Sequence, residues 1–179
     1  MSARSCLTII LLGSAMLGAV PALAQQAAPA PENPLDAVPD KMPFDVPYGA
    51  PISLEHAGAA IAAAVTEARK HDWKLNVAVV DSGGNLVAFQ RMDGAQLASI
   101  QIAEHKARAS ATFRRETKVF ETSIQQKNYY YLMTLDGVIA SRGGIPLMEA
   151  GKIVGAIGCS GGTGSQDEVA CKVGAATLK

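Results

Sequence analysis

Side chains that could bind a ligand are concentrated in one Ala-rich stretch, Glu104-His105-Lys106-Ala107-Arg108. Residues 95–113 carry apolar groups three and four positions apart and contain neither Gly nor Pro, a pattern that predicts a helix. On that helix Ile102, His105 and Ala109 share one face, because residues three and four apart align. The sequence therefore places an imidazole beside small apolar side chains, with two cations close to it.

An imidazole on an apolar surface flanked by cations suits one kind of ligand in particular. Haem needs a surface for its macrocycle, an axial ligand for its iron and partners for its propionates. We therefore predict His105 as the axial metal ligand and Lys106 and Arg108 as propionate partners, with Arg91, Ile102 and Ala109 as further contacts of the cofactor. The alternative is a partly exposed helical histidine surrounded by solvated charges.

Other candidate ligands are weaker. His56 and His71 lie at opposite ends of a predicted first helix, fifteen residues apart, and are interpreted as surface residues. Tyr129–Tyr131 and Met92 could ligate iron, but we expect most of them to pack. The sequence contains no H-E-x-x-H or Cys-x-x-Cys motif, so nothing in it favours a zinc enzyme.

A glycine-rich segment, residues 155–164, leaves a predicted strand and enters a predicted helix. Backbone N–H groups in such a loop can bind an anion. The Lys-Ser/Thr pair of a Walker A loop is missing, and Asp167 and Glu168 in the first helical turn would repel a phosphate. We therefore favour a tight turn and helix cap over an anion site.

The remaining pattern predicts helices and hairpins in alternation. Further helices are expected over residues 54–70 with Ser53 as N-cap, over 118–127 with Thr117 as cap, and from Ser165 to about 178, where Ser165 and Glu168 match a capping box. Hairpins are expected over residues 74–92, where the tight-turn signal Gly83-Gly84 separates two apolar stretches, and over residues 138–159. Strands paired in hairpins and separated by helices predict an α+β fold with an antiparallel sheet covered by helices.

The chain divides into three predicted segments. Residues 1–24 combine Arg4, an apolar run of about a dozen residues and a small-residue site at Ala22 and Ala24, which is typical of a signal peptide rather than a membrane span. Residues 25–51 form a predicted arm that holds seven of the nine prolines. Its apolar residues 42–48 should pack on a surface, such as that of a neighbouring subunit. Residues 52–179 form the predicted folded domain.

Export and charge narrow the possible partners. Cleavage would remove one of the 16 basic residues and none of the 16 acidic ones, leaving a net charge of about −1 on the mature chain. We therefore expect a periplasmic or secreted protein without a membrane span and without affinity for nucleic acid. Cys159 and Cys171 could form a disulfide in an oxidising compartment, or could be two small buried residues.

Several stretches in a fixed order resemble the GlcG/HbpS family. They are Val79-Val80-Asp81-Ser82-Gly83-Gly84-Asn85-Leu86-Val87, Arg91-Met92-Asp93-Gly94-Ala95, Lys106-Ala107-Arg108, Gly143-Gly144-Ile145-Pro146, residues 153–162 and Gln166-Asp167-Glu168. The resemblance implies a profilin-like domain with a five-stranded antiparallel sheet, in which residues 138–150 would split around Gly143-Gly144 to supply the fifth strand. It also implies homo-oligomers, often octamers, and haem binding.

These observations support two classes of function. The first is an exported haem-binding carrier, scavenger or sensor without turnover. The alternative is an enzyme or binding protein for a small anionic or aromatic metabolite, including one that degrades haem, with His105 as general base and Lys106 and Arg108 holding a carboxylate. A third possibility is an oligomeric scaffold that binds no ligand.

Overall fold

A computed structural model describes Leu35 and residues 38–178. The predicted signal peptide and most of the first half of the arm lie outside these residues. The compact unit that begins at Pro39 contains the regular elements. In chain order they are α1 (Leu54–Lys70), β1 (Asn76–Asp81), β2 (Leu86–Arg91), α2 (Ser99–Thr112), α3 (Lys118–Lys127), a 3₁₀ helix (Tyr130–Thr134), β3 (Gly144–Glu149), β4 (Lys152–Ser160) and α4 (Gly164–Ala175).

The four strands form one antiparallel sheet in the order β2-β1-β4-β3. One face packs against α1 and α4 through a large apolar cluster that includes Leu75, Val77 and Ile157. The other face packs against α2 through a cluster built mainly from alanines. A disulfide between Cys159 and Cys171 joins β4 to α4. The prediction of an antiparallel α+β fold with helices on both faces is confirmed.

Helix α2 lies unusually close to the sheet because both surfaces carry small residues. A Cβ atom added to Gly144 would clash with the carbonyl oxygen of Lys106, and one added to Gly158 would clash with that of Ala103. The backbone of α2 therefore rests directly on β3 and β4. This contact fixes which α2 side chains face the sheet.

The bounds of α1 and α3 agree with the sequence prediction, but two other helices begin elsewhere. Helix α2 begins at Ser99 rather than at 95, because the amide of Asn76 donates to the carbonyl of Gln96 (3.0 Å) and holds the preceding turn. Helix α4 begins at Gly164 and is capped by Thr163 with Gln166, not by Ser165 with Glu168.

The predicted cap of α3 has a different role. The Thr117 hydroxyl accepts a hydrogen bond from the backbone N–H of Gly144 at 2.9 Å, and it makes no capping bond to α3. Thr117 is buried, so this bond satisfies a backbone donor of the edge strand β3 inside the protein. The residue that sequence assigns to a helix end therefore ties α3 to the sheet.

The expected fifth strand is absent from residues 138–143, which form no strand. The arm instead adds one isolated parallel bridge, between Tyr48 and Ile153. The pairing of β1 with β4 ends at Asp81 and Gly155, so the backbone of Ile153 bonds instead to Pro47 (2.9 Å) and Gly49 (2.8 Å). This part of the arm thus lies on its own domain.

Candidate functional site

Lys106, predicted to contact a ligand, is buried under α2 with only 1% of its side chain exposed. Its Nζ donates to Oδ2 of Asp167 at 2.8 Å and to the carbonyl oxygen of Cys159 at 3.1 Å. The ammonium therefore has no surface left for a haem propionate. The predicted role of Lys106 is corrected to that of a buried structural cation.

The buried side chain of Asp167 binds the backbone of the glycine-rich turn. Besides Lys106, its carboxylate accepts a hydrogen bond from the backbone N–H of Gly162 at 3.1 Å. Burial raises the pKa of this carboxyl, and the bonds from Lys106 and Gly162 oppose that rise. The Asp167 carboxylate thus occupies the Lys106 and Gly162 donors that a bound anion would need. This agrees with the prediction that the glycine-rich segment is a turn and helix cap rather than an anion site.

The other residues predicted from α2 are spread over different environments. Ala109 is fully buried, whereas Ile102 and His105 are half-buried. Arg108 is exposed and its Nε donates to the carbonyl oxygen of Gly84 at 3.2 Å. Arg91, at the end of β2, lines a cavity with residues of α1 and of the segment before β1. Burial thus removes Lys106 and Ala109 from any ligand surface.

Most of the other residues considered as ligands, Met92, the tyrosines and His71, pack against or bond to the protein itself. Met92 belongs to the apolar core. Tyr130 and Tyr131 are exposed on the 3₁₀ helix, and the Tyr130 hydroxyl donates to the Asn128 side chain at 2.9 Å. The His71 ring stacks on Trp73, with 4.4 Å between centroids.

His56 combines a carboxylate partner with a position at the edge of a cavity. Ser53 caps α1 by accepting from the His56 backbone N–H at 3.1 Å, which places the imidazole in the first helical turn. There its Nδ1 lies 2.6 Å from Oε1 of Glu149, at the end of β3. The side chains are 54% and 36% exposed, so the pair remains open to a ligand.

The bond to Glu149 decides which nitrogen of the ring is free. An ionised carboxylate can only accept, so Nδ1 carries the proton that it donates. In the neutral imidazole Nε2 then has a free lone pair. A histidine whose second nitrogen is held by a carboxylate is the usual arrangement of a metal-bound histidine.

The pair borders a cavity of about 430 Å³ lined by His56, Ala59, Glu149, Ala150, Thr177 and Leu178. Most of this lining is apolar, apart from the His56–Glu149 pair and the Thr177 hydroxyl. Its volume lies within the range of about 300–1,000 Å³ that is typical of small-molecule sites. The geometry therefore offers one ligating nitrogen beside an apolar wall.

Sequence reasoning missed this site because its two parts are 93 residues apart. Ser53 as N-cap does indicate that His56 lies in the first turn of α1. Nothing in the sequence indicates that the end of β3 reaches the same place. Within the described residues no group of three or more His, Cys, Asp or Glu side chains could hold a bare metal ion, and no helix is long and apolar enough to cross a membrane.

Comparisons with known proteins agree with this fold. The family described as "Haem degrading protein HbpS-like" matches residues 52–176. GlcG of Escherichia coli K12 is 39% identical over 109 residues, which are 61% of this chain and 81% of GlcG.

Two solved structures are similar as well. HbpS of Streptomyces reticuli, solved as a double mutant, is 30% identical with a TM-score of 0.67 over 80% of this chain and 97% of that one. PduOC, solved as a haem complex, has a TM-score of 0.65 over 72% of this chain and 96% of that one, and at 24% identity this likeness supports the fold alone. Since the family match covers most of the described domain, this chain belongs to the HbpS-like family.

Proposed function

We propose that this chain is an exported haem-binding protein that acts as a carrier, scavenger or sensor without turnover. The observation that carries the proposal is the His56–Glu149 pair at an apolar cavity, in a chain of a haem-related family. Bound haem would supply the redox and ligand chemistry of its iron. The protein's contribution would be the axial nitrogen, its orientation and an apolar surface.

The residues at this cavity meet two of the three needs of haem, an axial ligand and an apolar surface; none of the lining residues is a Lys or Arg, so the propionates would face solvent. His56 would provide Nε2 as axial ligand, and Glu149 would fix the ring through Nδ1. Ala59, Ala150 and Leu178 would contact the macrocycle. Because His56 is 54% exposed, a haem held there would remain partly open to solvent, which suits the transfer or sensing of haem more than its permanent storage.

His105 stays a second candidate ligand from the sequence. It is half-buried on α2, and it has no hydrogen bond to any described residue that would fix its ring. A histidine without such a partner is a less preorganised metal ligand. His56 is therefore the preferred axial ligand in this proposal.

The export and assembly of the protein belong to the same proposal. Residues 1–24 carry the pattern of a signal peptide, so we expect periplasmic or secreted protein cleaved after Ala24. Exposed apolar side chains on α4, Val169 and Val173, support a homo-oligomer, of which an octamer is one form. Intact mass and light scattering test these two points.

Hemin titration of the purified mature protein tests the main proposal. We expect saturable binding with a Soret band that His56→Ala removes or shifts, while His105→Ala leaves it in place. The reverse pattern would return the ligand role to His105. No saturable binding by the wild-type protein would reject haem binding altogether.

The description of the family as haem degrading favours one alternative, in which bound haem is consumed. Incubation of the hemin complex with a reductant in air separates the two functions. A stable Soret band would support binding without turnover, and progressive loss of the band that requires protein would support degradation.

A further inference from the structure

Two arginines differ from the others in the part of the chain that the structure describes. Four of the six described arginines donate hydrogen bonds to protein oxygen atoms: Arg108, Arg114, Arg115 and Arg142. The guanidinium groups of the other two, Arg69 and Arg91, have no hydrogen bond or ion pair with any described residue. Both line the same cavity.

This cavity has a volume of about 380 Å³ and is lined by Arg69, Lys74, Gln90, Arg91, Met92 and Asp93. Arg69 comes from the last turn of α1, Arg91 from the end of β2, and Lys74 from the segment between α1 and β1. Its lining is polar apart from Met92. Three separate parts of the chain thus bring their cations to one concave surface.

The charges around the cavity are only partly balanced from within the protein. Lys74 is paired with Asp72. Asp93 also lines the cavity, but it forms no ion pair with either arginine. The two guanidiniums keep their donors free, and a guanidinium matches carboxylate and phosphate oxygens with two parallel hydrogen bonds.

We propose that this cavity is a binding site for a small dianion, a dicarboxylate or a phosphate monoester. Arg69 and Arg91 each bind one anionic group or share one phosphate. Asp93 accepts a hydrogen bond from a hydroxyl group of the ligand, so hydroxylated dianions bind more tightly than plain ones. The volume of about 380 Å³ accommodates a ligand of several carbon atoms and its hydration water.

The site is separate from the haem site proposed above. Arg91 pairs in the sheet with Asn76, which in turn pairs with Ser160 at the end of β4. Glu149, the partner of His56, pairs with Lys152 at the start of β4. The two sites thus lie at opposite ends of the sheet, and dianion binding can be measured without haem.

Isothermal titration calorimetry of the haem-free mature protein at low ionic strength tests the proposal with malate, succinate and inorganic phosphate. We expect saturable binding that weakens with added salt. Arg69→Gln and Arg91→Gln should each weaken it by about tenfold or more, as expected for the loss of a charge-assisted contact. Lys152→Gln is the matched control, because it removes the same charge at the opposite end of the sheet.

The Asp93→Asn variant tests whether Asp93 selects dianions that carry a hydroxyl group. It should strengthen succinate binding by removing a repulsive charge, and it should reduce the preference for malate. Tighter binding of phosphate than of succinate would support the proposal with a phosphate monoester as the natural class, and the reverse would support it with a dicarboxylate.

Three results would overturn the site. They are no saturable binding of any of the three anions at millimolar concentration, unchanged affinity in both arginine variants, and an equal loss in Lys152→Gln. Circular dichroism of each variant shows whether it retains the wild-type fold.

Discussion

Two pairs, each of a basic and an acidic side chain, connect distant parts of this molecule, and they differ in depth. Lys106 and Asp167 lie 2.8 Å apart between α2 and α4, with side chains 1% and 3% exposed. His56 and Glu149 lie 2.6 Å apart between α1 and β3, with side chains 54% and 36% exposed. Both pairs join residues more than 60 positions apart, at 61 and 93.

The difference in depth determines what each pair can do. A buried ammonium and carboxylate satisfy each other and are shut off from ligands, so they serve the structure. An exposed imidazole held by a carboxylate still has a free nitrogen facing solvent. Residue type therefore indicates the possible chemistry, and burial decides whether that chemistry is accessible.

Removal of the buried cation should give the largest effect. Lys106→Ala leaves the Asp167 carboxylate buried without its partner, and breaking such a pair costs about 3–5 kcal/mol. The free energy of unfolding in urea, with the disulfide intact, measures this loss.

A double replacement is the control for that variant. Lys106→Met with Asp167→Leu removes both charges together and should recover most of the stability, because no unpaired charge is left in the core. If Lys106→Ala lowers the free energy of unfolding by less than about 1 kcal/mol, the Lys106–Asp167 pair contributes no more to stability than a surface pair does.

The exposed pair should affect ligand binding instead. Glu149→Gln weakens the orientation of His56, and changes of this kind typically cost 10- to 100-fold in metal affinity. Hemin affinity of the variant measures this. Glu67→Gln, which alters the contact of Glu67 with His71 on the α1 surface, is the matched control and should leave hemin affinity unchanged.

A third pair, intermediate in depth, should affect the pH dependence of stability. A hydrogen bond from Arg142 lowers the pKa of Glu121 below its ordinary value of 4.5. The stabilisation of the folded state by ionised Glu121 is complete above pH 4.5. It is lost as the pH falls through the lowered pKa, because Glu121 in the unfolded chain binds its proton at a higher pH than in the folded chain. The urea midpoint should therefore decrease as the pH is lowered from about 6 to about 3, and it should decrease less steeply with pH in Glu121→Gln. The same slope in both proteins would contradict this.

The smallest effect is expected from substitution of the exposed pair, measured on the stability of the haem-free protein. His56→Ala should change the free energy of unfolding by less than about 0.5 kcal/mol, as is usual for surface positions. Urea unfolding of the haem-free protein measures it. A loss similar to that of Lys106→Ala would mean that His56 is part of the structural framework and would remove the contrast between the two pairs.

Local features of the sequence predicted the elements well. Ser53 as N-cap and the apolar spacing after it predicted α1, and Gly83-Gly84 between two apolar stretches predicted the first hairpin. These signals are contained within a few neighbouring residues. The capping box of α4 was placed two residues late, because Ser165 and Glu168 fit the same pattern as Thr163 and Gln166.

The candidate sites were less accessible to sequence reasoning. Lys106 follows His105 in the chain and was predicted to contact the same ligand, yet the close contact of Gly144 and Gly158 with α2 places Lys106 in the core. His56 looked like an isolated surface residue, because its partner Glu149 arrives from the other half of the chain.

By itself the sequence determined the α+β class, the positions of most helices and strands and the family, because periodicity, caps, turns and motifs are local. The tertiary structure decided which charges are paired and how deep they lie. It placed Asp167 beneath Lys106, Glu149 beside His56, and Arg69 and Arg91 on one cavity. Those contacts depend on how helices pack on a sheet, and the burial that results sets whether a charged side chain supports the fold or remains free to bind a ligand.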